Sequence, residues 1–261
     1  MQVVGIIPAR YGSTRFPGKP LALIAGKPLI RWVYEAALQV PVLTAVYVAT
    51  DDERIAAGLQ ALGGKTIMTG SHHSSGSDRL AEAARIIGLR PEDIVVNIQG
   101  DQIVFPIPLI AALVESLQAS PDAAMATAVR RCTDPGLASD PNVVKAVFDQ
   151  TGSALYFSRA AIPHYREPEG EPVYYKHIGI YVYRQAFLQK FVELPVGKWE
   201  AAEKLEQLRV LEHGFTIKIV ETTGETLEVD TPDEARRAEA HLQGQGFRRP
   251  VQDRSKGGEG S

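Results

Sequence analysis

The sequence predicts an α/β fold built on a mostly parallel, doubly wound sheet, and three observations carry that expectation. Val3 to Ile7 is a short, continuous apolar run, the pattern of a strand buried on both faces. Apolar runs and amphipathic segments then alternate as β-α-β steps over the first ~65 residues, as parallel strands joined by helical crossovers require. Ile94 to Ile98 reads as another buried strand and ends at Gln99-Gly100-Asp101. In open α/β sheets, ligands sit where such strands end.

The chain bears this out element by element. Pro8, Gly12, Pro17 and Gly18 keep the stretch after the first strand out of a helix, so residues 8–20 read as a loop carrying Arg10, Arg15 and Lys19. Pro28 to Gln39 follows as a helix with Leu29, Ile30, Val33, Ala36 and Ala37 on one face. Ala45 to Ala49 is a second strand, Thr50 an N-cap for a helix over 52–62, and Lys65 to Met68 a third strand after Gly63-Gly64. A polar loop, 70–79, leads into a helix over 78–87, and 107–118 is another helix with Leu109, Ile110, Leu113, Val114 and Leu117 on one side. Met125–Val129, Val143–Phe148 and Lys176–Tyr183 read as strands, the last from its alternation and aromatic content. Residues 199–213 read as one helix, with Trp199, Ala202, Leu205, Leu208 and Leu211 as its apolar face and Gly214 as its end. Phe215 to Val220 is the last strong strand. Thr231 as N-cap and Pro232 at N1 open a closing helix. Residues 1–246 form a single domain on this reading, and 247–261, rich in Gly, Arg, Lys and Ser, a disordered tail.

Composition excludes several classes. A net charge of −3 gives no reason to expect nucleic acid or an anionic membrane as partner. The single cysteine, Cys132, rules out an intrachain disulfide and a CxxC zinc site. No apolar run approaches the ~20 residues of a membrane span, and the N-terminus lacks the marks of a signal peptide. The expectation is a cytoplasmic protein.

The loop 8–20 suits a polyphosphate: its glycines let backbone N–H groups approach phosphate oxygens and its cations offset their charge. A basic solvated turn fits the same residues. His72 and His73 are adjacent, so on a strand they point apart and do not form the i, i+4 pair of a helical metal site. Ser75, Gly76 and Ser77 read instead as a backbone cradle at a helix N-terminus. Asp101, at the end of its strand, fits either a ligand-crevice carboxylate or an ordinary turn residue. His177 and Tyr181 fit a core pair as well as a site, and Arg159, Glu206 and Gln207 fit solvated positions.

Motifs in order along residues 3–240 resolve these choices by likeness. Ile7-Pro8-Ala9-Arg10-Tyr11-Gly12-Ser13-Thr14-Arg15-Phe16-Pro17-Gly18-Lys19-Pro20 resembles the N-terminal signature of the 3-deoxy-manno-octulosonate cytidylyltransferases, the CMP-KDO synthetases. Ser75-Gly76-Ser77-Asp78-Arg79 resembles that family's Ser-Gly-Thr-[Asp/Glu]-Arg motif, Gln99-Gly100-Asp101 and Val229-Asp230-Thr231-Pro232 its two metal motifs, and Ala154 to Arg159, His177 to Tyr181 and Glu206-Gln207-Leu208-Arg209 its sugar-side motifs. One departure stands out: Gln102-Ile103 replaces the usual Glu-Pro after the aspartate.

The resemblance implies a Rossmann-like nucleotidyltransferase domain with a smaller β-rich lobe, about 130–190, that makes a homodimer. It implies transfer of CMP from CTP to the anomeric hydroxyl of 3-deoxy-manno-octulosonate, with release of pyrophosphate, for lipopolysaccharide biosynthesis. Mg²⁺ would be held by Asp101 and Asp230, two carboxylates that would repel each other without a cation. Arg10, Arg15 and Lys19 would neutralise the triphosphate, and Pro8, Ala9, Ser75, Gly76, Arg79 and Gln99 would frame the nucleotide. Gln99, Arg159, His177, Tyr181, Glu206 and Gln207 would frame the sugar. An 8-amino octulosonate or a nonulosonate is the alternative acceptor, and a catalytically lapsed nucleotide-binding relative is the alternative class.

Overall fold

The computed structural model describes residues 1–12, 16–167 and 170–244. The expectations for Arg15 and for the tail 247–261 lie outside the described residues. In chain order the strands are β1 (Val3–Ala9), β2 (Leu23–Ile24), β3 (Lys27–Pro28), β4 (Ala45–Thr50), β5 (Thr66–Met68), β6 (Ile94–Asn97), β7 (Gln102–Val104), β8 (Ala123–Cys132), β9 (Lys145–Phe148), β10 (Ala154–Ser158), β11 (Tyr174–Arg184), β12 (Thr216–Glu221) and β13 (Leu227–Glu228). The helices are α1 (Leu29–Leu38), α2 (Glu53–Gln60), α3 (Gly76–Ile87), α4 (Ile107–Gln118), α5 (Pro135–Ser139), α6 (Gln185–Glu193), α7 (Lys198–Glu203), α8 (Gln207–Glu212) and α9 (Pro232–Gly244).

β1 lies at the centre of the sheet because both its faces are apolar. It pairs in parallel with β4 and β6, and β4 pairs in parallel with β5. β11 then runs antiparallel to β6 and β8, and β12 returns parallel to β8. The sheet is therefore mixed, and its parallel half carries the loop that leaves β1. The β9–β10 hairpin joins β11 through the Lys176–Lys145 pairing. Alternation along the strands splits the core in two. Ile7 and Val96 face Val33, Ile55 and Leu113 of α1, α2 and α4, while Ile6 and Val95 face Leu80 and Phe191 of α3 and α6. Leu113 and Leu80 are wholly buried, so truncating either to Ala costs about 2–5 kcal/mol.

The helix expected over 199–213 is two helices. Lys204 takes a left-handed conformation, φ 55°, and ends α7; α8 begins at Gln207. Periodicity missed this because the side chains that hold the break lie nine residues apart: Arg209 Nε and Nη2 donate to the two Glu200 carboxylate oxygens at 2.7 and 2.6 Å. The break leaves Trp199 about half exposed, edge-on to Tyr156, rather than on a buried face. The N-cap of α2 is Asp52, which accepts from Arg54 N, while Thr50 Oγ1, two residues earlier, accepts from Asp52 N. α6 and the short β7–β13 pair had no counterpart in the sequence reading, since two- and three-residue strands carry no usable period.

Candidate active site

A cavity of about 480 Å³ opens at the C-terminal ends of β1 and β6. Pro8, Ala9 and Arg10 reach it from the end of β1, and Gln99, Gly100 and Asp101 from the turn after β6. Those two segments touch: a Cβ on Gly100 would sit 2.7 Å from the Pro8 carbonyl oxygen, so glycine alone lets the turn pass. Lys19 arrives from the other side. Gly18, with φ +69°, donates its N–H to the Tyr11 carbonyl and folds the loop back so that Lys19 enters the cavity.

Asp230 is brought in by pairing across the sequence. β13 lies antiparallel to β7, with Glu228 opposite Gln102, and Val229 N–H donates to the Asp101 carbonyl at 3.0 Å. Just beyond, Thr231 and Glu234 form a reciprocal cap on α9: Glu234 N–H donates to Thr231 Oγ1, and Thr231 N–H to Glu234 Oε2. The capping expected of Thr231 is thus present, and it leaves the Asp230 side chain to the cavity. Lys19 Nζ lies 2.7 Å from Asp101 Oδ2 and 3.0 Å from Asp230 Oδ1. Burial by itself would lower the Lys19 pKa, but the two carboxylates outweigh it and raise it. The repulsion expected between Asp101 and Asp230 is relieved by an ammonium from the chain itself.

The opposite wall is the N-terminus of α3. Ser75 Oγ accepts from Asp78 N–H, and Asp78 accepts from Ser75 N–H in return, so α3 starts at Gly76, two residues before the expected position. Ser75, Gly76 and Arg79 line the cavity. Arg79 is braced from behind: its guanidinium bonds Thr69 Oγ1 at 2.6 Å and pairs with Asp51 at 3.2 Å. His73 and Ser74 also line this wall. The sequence reading weighed His73 only as a metal ligand, and among the described residues no cluster of three or more His, Cys, Asp or Glu forms a metal cage.

The sugar-side expectations divide. Glu206 lines the cavity, and Ser77 donates to its Oε2 at 2.9 Å. Burial pushes the Glu206 carboxyl above its usual range, only partly opposed by hydrogen bonds from Ser75 and Ser77. Gln99 lines the cavity too. Arg159, His177, Tyr181 and Gln207 are not among its lining residues. Arg159 gives its guanidinium to backbone carbonyls, Glu203 at 2.7 Å and Pro141 at 2.9 Å. His177 packs edge-on to Phe157, with Nε2 3.0 Å from Thr127 Oγ1; burial holds its pKa down at about 3. Tyr181 packs beside it with the rings tilted by 44°, and burial pushes its phenol well up. Gln207 is buried, with Nε2 unpartnered among the described residues. Gln102 lies under the site rather than in its wall: it is fully buried and donates to the Val104 carbonyl.

Comparison with known proteins identifies the family and the fold. The cytidylyltransferase family model matches residues 4–219. A 3-deoxy-manno-octulosonate cytidylyltransferase of Desulfatibacillum aliphaticivorans is 51% identical over 245 residues, covering 94% of this chain and 100% of that protein. An 8-amino-3,8-dideoxy-manno-octulosonate cytidylyltransferase of Shewanella halifaxensis (strain HAW-EB4) is 49% identical over 243 residues, covering 93% and 99%. The solved structure of CMP:2-keto-3-deoxy-manno-octonic acid synthetase complexed with CTP superposes with a TM-score of 0.88 at 41% identity, covering 94% of this chain and 100% of that one. A putative glucose-1-phosphate thymidylyltransferase from Bacillus anthracis, at 19% identity and a TM-score of 0.64, shares the fold. No helix among the described residues is long and apolar enough to cross a membrane.

Proposed function

The chain belongs to the cytidylyltransferase family, and on that premise we propose that it transfers CMP from CTP to the anomeric hydroxyl of 3-deoxy-manno-octulosonate and releases pyrophosphate. The observation that carries this reading is the convergence of Asp101, Asp230 and Lys19 at the mouth of one cavity, opposite the N-terminus of α3. The anomeric oxygen attacks the α-phosphorus in line as the bond to the β-phosphate oxygen breaks, and the pyrophosphate departs with that electron pair. The protein's work is positioning and charge neutralisation. Arg10 and Lys19 face the triphosphate; Arg15, expected beside them, lies outside the described residues. Pro8, Ala9, Ser75, Gly76, Arg79 and Gln99 hold the nucleoside and α-phosphate. Gln99 and Glu206 meet the sugar, with Arg159, His177, Tyr181 and Gln207 as the further residues of the sugar side.

Mg²⁺ fits the donor set, because two carboxylates already converge on a single cation, the Lys19 ammonium. A hard cation prefers one or two such carboxylates completed by phosphate oxygens. Bound there it would be held by Asp101 and Asp230 and would supply neutralisation of the triphosphate charge, to which Lys19 and Arg10 add. We place the protein in the cytoplasm, as a homodimer through the region 130–190, supplying an activated sugar for lipopolysaccharide.

A second acceptor is favoured by one observation: relatives named for the 8-amino sugar are about as similar to this chain as those named for the hydroxyl sugar. Pyrophosphate release with CTP and a panel of octulosonate, 8-amino-octulosonate and nonulosonate decides between them. Turnover is expected with CTP and octulosonate. Equal turnover with ATP or GTP, or none with any sugar acid, overturns the reading.

A further inference from the structure

His73 and Glu82 form a pair that the reaction described above does not use. His73 lies on the loop before α3 and is one of the residues that line the cavity. Its side chain is 8% exposed, and Nε2 meets Glu82 Oε2 in a short hydrogen bond. Glu82 is not a lining residue, so Nε2 is directed at a group behind the wall. The same Glu82 oxygen also accepts the Gly70 N–H at 2.8 Å, which fixes the carboxylate in place. The His73 bond holds the Glu82 carboxyl below its usual range.

An ionised carboxylate on one ring nitrogen places the proton there and fixes the tautomer. Nε2 then donates to Glu82, and in the neutral ring Nδ1 is left as an acceptor. Among the described residues no hydrogen bond reaches Nδ1. The ligand group that meets it must therefore be a donor. Phosphate oxygens are acceptors and are served by Arg10 and Lys19 on the other wall. Arg79, the cation on the His73 wall, is engaged by Asp51, Thr69 and the Gly70 carbonyl. A pyrimidine distinguishes itself at position 4: cytosine carries an amine, a donor, and uracil a carbonyl, an acceptor.

We propose that His73 reads the base, its Nδ1 accepting a hydrogen bond from the exocyclic amine of cytosine, and that Glu82 is the positioning residue that holds the ring in the Nε2–H tautomer. This rests on the reading of the cavity as a CTP site and assigns it a residue that selects cytosine over uracil. A buried acceptor rejects a ligand that turns another acceptor toward it far more strongly than a methylene-sized misfit would. A purely mechanical role, stapling the loop 70–75 to α3, needs only a donor to Glu82, and glutamine supplies one.

The test is titration calorimetry of the full chain with CTP, UTP and the triphosphate of 2-pyrimidinone ribonucleoside, which has no group at position 4. His73→Gln is expected to weaken CTP about tenfold, the worth of one hydrogen bond, and to move UTP and the 2-pyrimidinone triphosphate less than twofold. Equal weakening of all three, or unchanged preference for CTP, overturns the proposal. Glu82→Gln is read independently by long-range 1H–15N correlation of the His73 ring. The wild type is expected to show the Nε2–H tautomer and the variant a mixture, with a reduced CTP-to-UTP ratio; an unchanged tautomer and ratio refute the positioning role even if His73→Gln does not fold. Wild-type protein that binds no cytidine triphosphate overturns the functional reading itself, whereas a CTP preference that survives in His73→Gln overturns only the role of His73.

Discussion

Asp101 and Asp230 grip the same ammonium nitrogen, at 2.7 and 3.0 Å, although one follows a central strand and the other precedes the last helix. The link between them is backbone as well as side chain, since Val229 N–H bonds the Asp101 carbonyl. Replacing either aspartate with Asn keeps its size and removes a charge that both Lys19 and a divalent cation require. The expected loss is about 10² to 10⁴ in kcat/KM, checked by pyrophosphate release across a Mg²⁺ titration. Lys19 retains one carboxylate in each variant, so the melting temperature is expected to fall only slightly. Near-normal activity of both variants at limiting Mg²⁺ refutes the pair.

That convergence was legible in the sequence only through motif likeness. Nothing local at residue 230 marks it as a neighbour of residue 101, because the β7–β13 pairing that joins them is two or three residues long. The parallel half of the sheet was legible directly: Val3–Ile7, Ala45–Ala49 and Ile94–Ile98 are runs apolar but for Asn97, and both their faces are covered by helices. The split of 199–213 was not. Leu205 and Leu208 keep helical spacing across the break, and the forces that decide it, the Arg209–Glu200 fork and Arg159 reaching the Glu203 carbonyl, are tertiary. His73 was visible in the sequence and set aside as a metal ligand, but its partner Glu82 lies nine residues on and inside a helix, where no local pattern marks the pairing.

The αL residue at that break gives a stability test. Lys204 is exposed and has φ 55°, a conformation that costs a non-glycine residue about 1–2 kcal/mol. Glycine removes that cost but adds about 0.5–1 kcal/mol of unfolded-state entropy. Lys204→Gly is therefore expected to be neutral to stabilising, by about 0.5–1 kcal/mol, in urea denaturation. Its backbone bond to the Glu200 carbonyl at 2.8 Å persists. A clear loss of stability contradicts the strain argument.

Gln102 marks the departure from the family pattern, and its position predicts what restoring the acid does. The side chain is fully buried, donates to the Val104 carbonyl at 3.0 Å and stands opposite Glu228. Burial already raises the Glu228 pKa, and Asp101 and Asp230 add to it. Gln102→Glu loses the donor and adds a like charge, so a destabilisation of about 1–3 kcal/mol is expected. Because Gln102 does not line the cavity, relative kcat/KM across the sugar panel is expected to stay constant. A shift in acceptor preference without loss of stability contradicts this placement.

The last prediction concerns acid stability and follows from His177. Burial, with a smaller contribution from Lys176, lowers its pKa from 6.5 to about 3 in the folded protein. The unfolded chain takes up a proton there near its ordinary pKa, so between those two values the unfolded state binds more protons than the folded one. Stability then rises with pH across that window. The contribution is fully present above about pH 6.5 and is lost progressively as pH falls toward 3. His177→Gln keeps a donor for Thr127 Oγ1 but has no proton to take up. Its urea-unfolding free energy is expected to be lower than wild type at pH 7.5, because the packing on Phe157 is lost, and to fall less steeply below pH 6. Parallel pH profiles for the two proteins would show that His177 titrates alike in both states and is not buried as the structure places it.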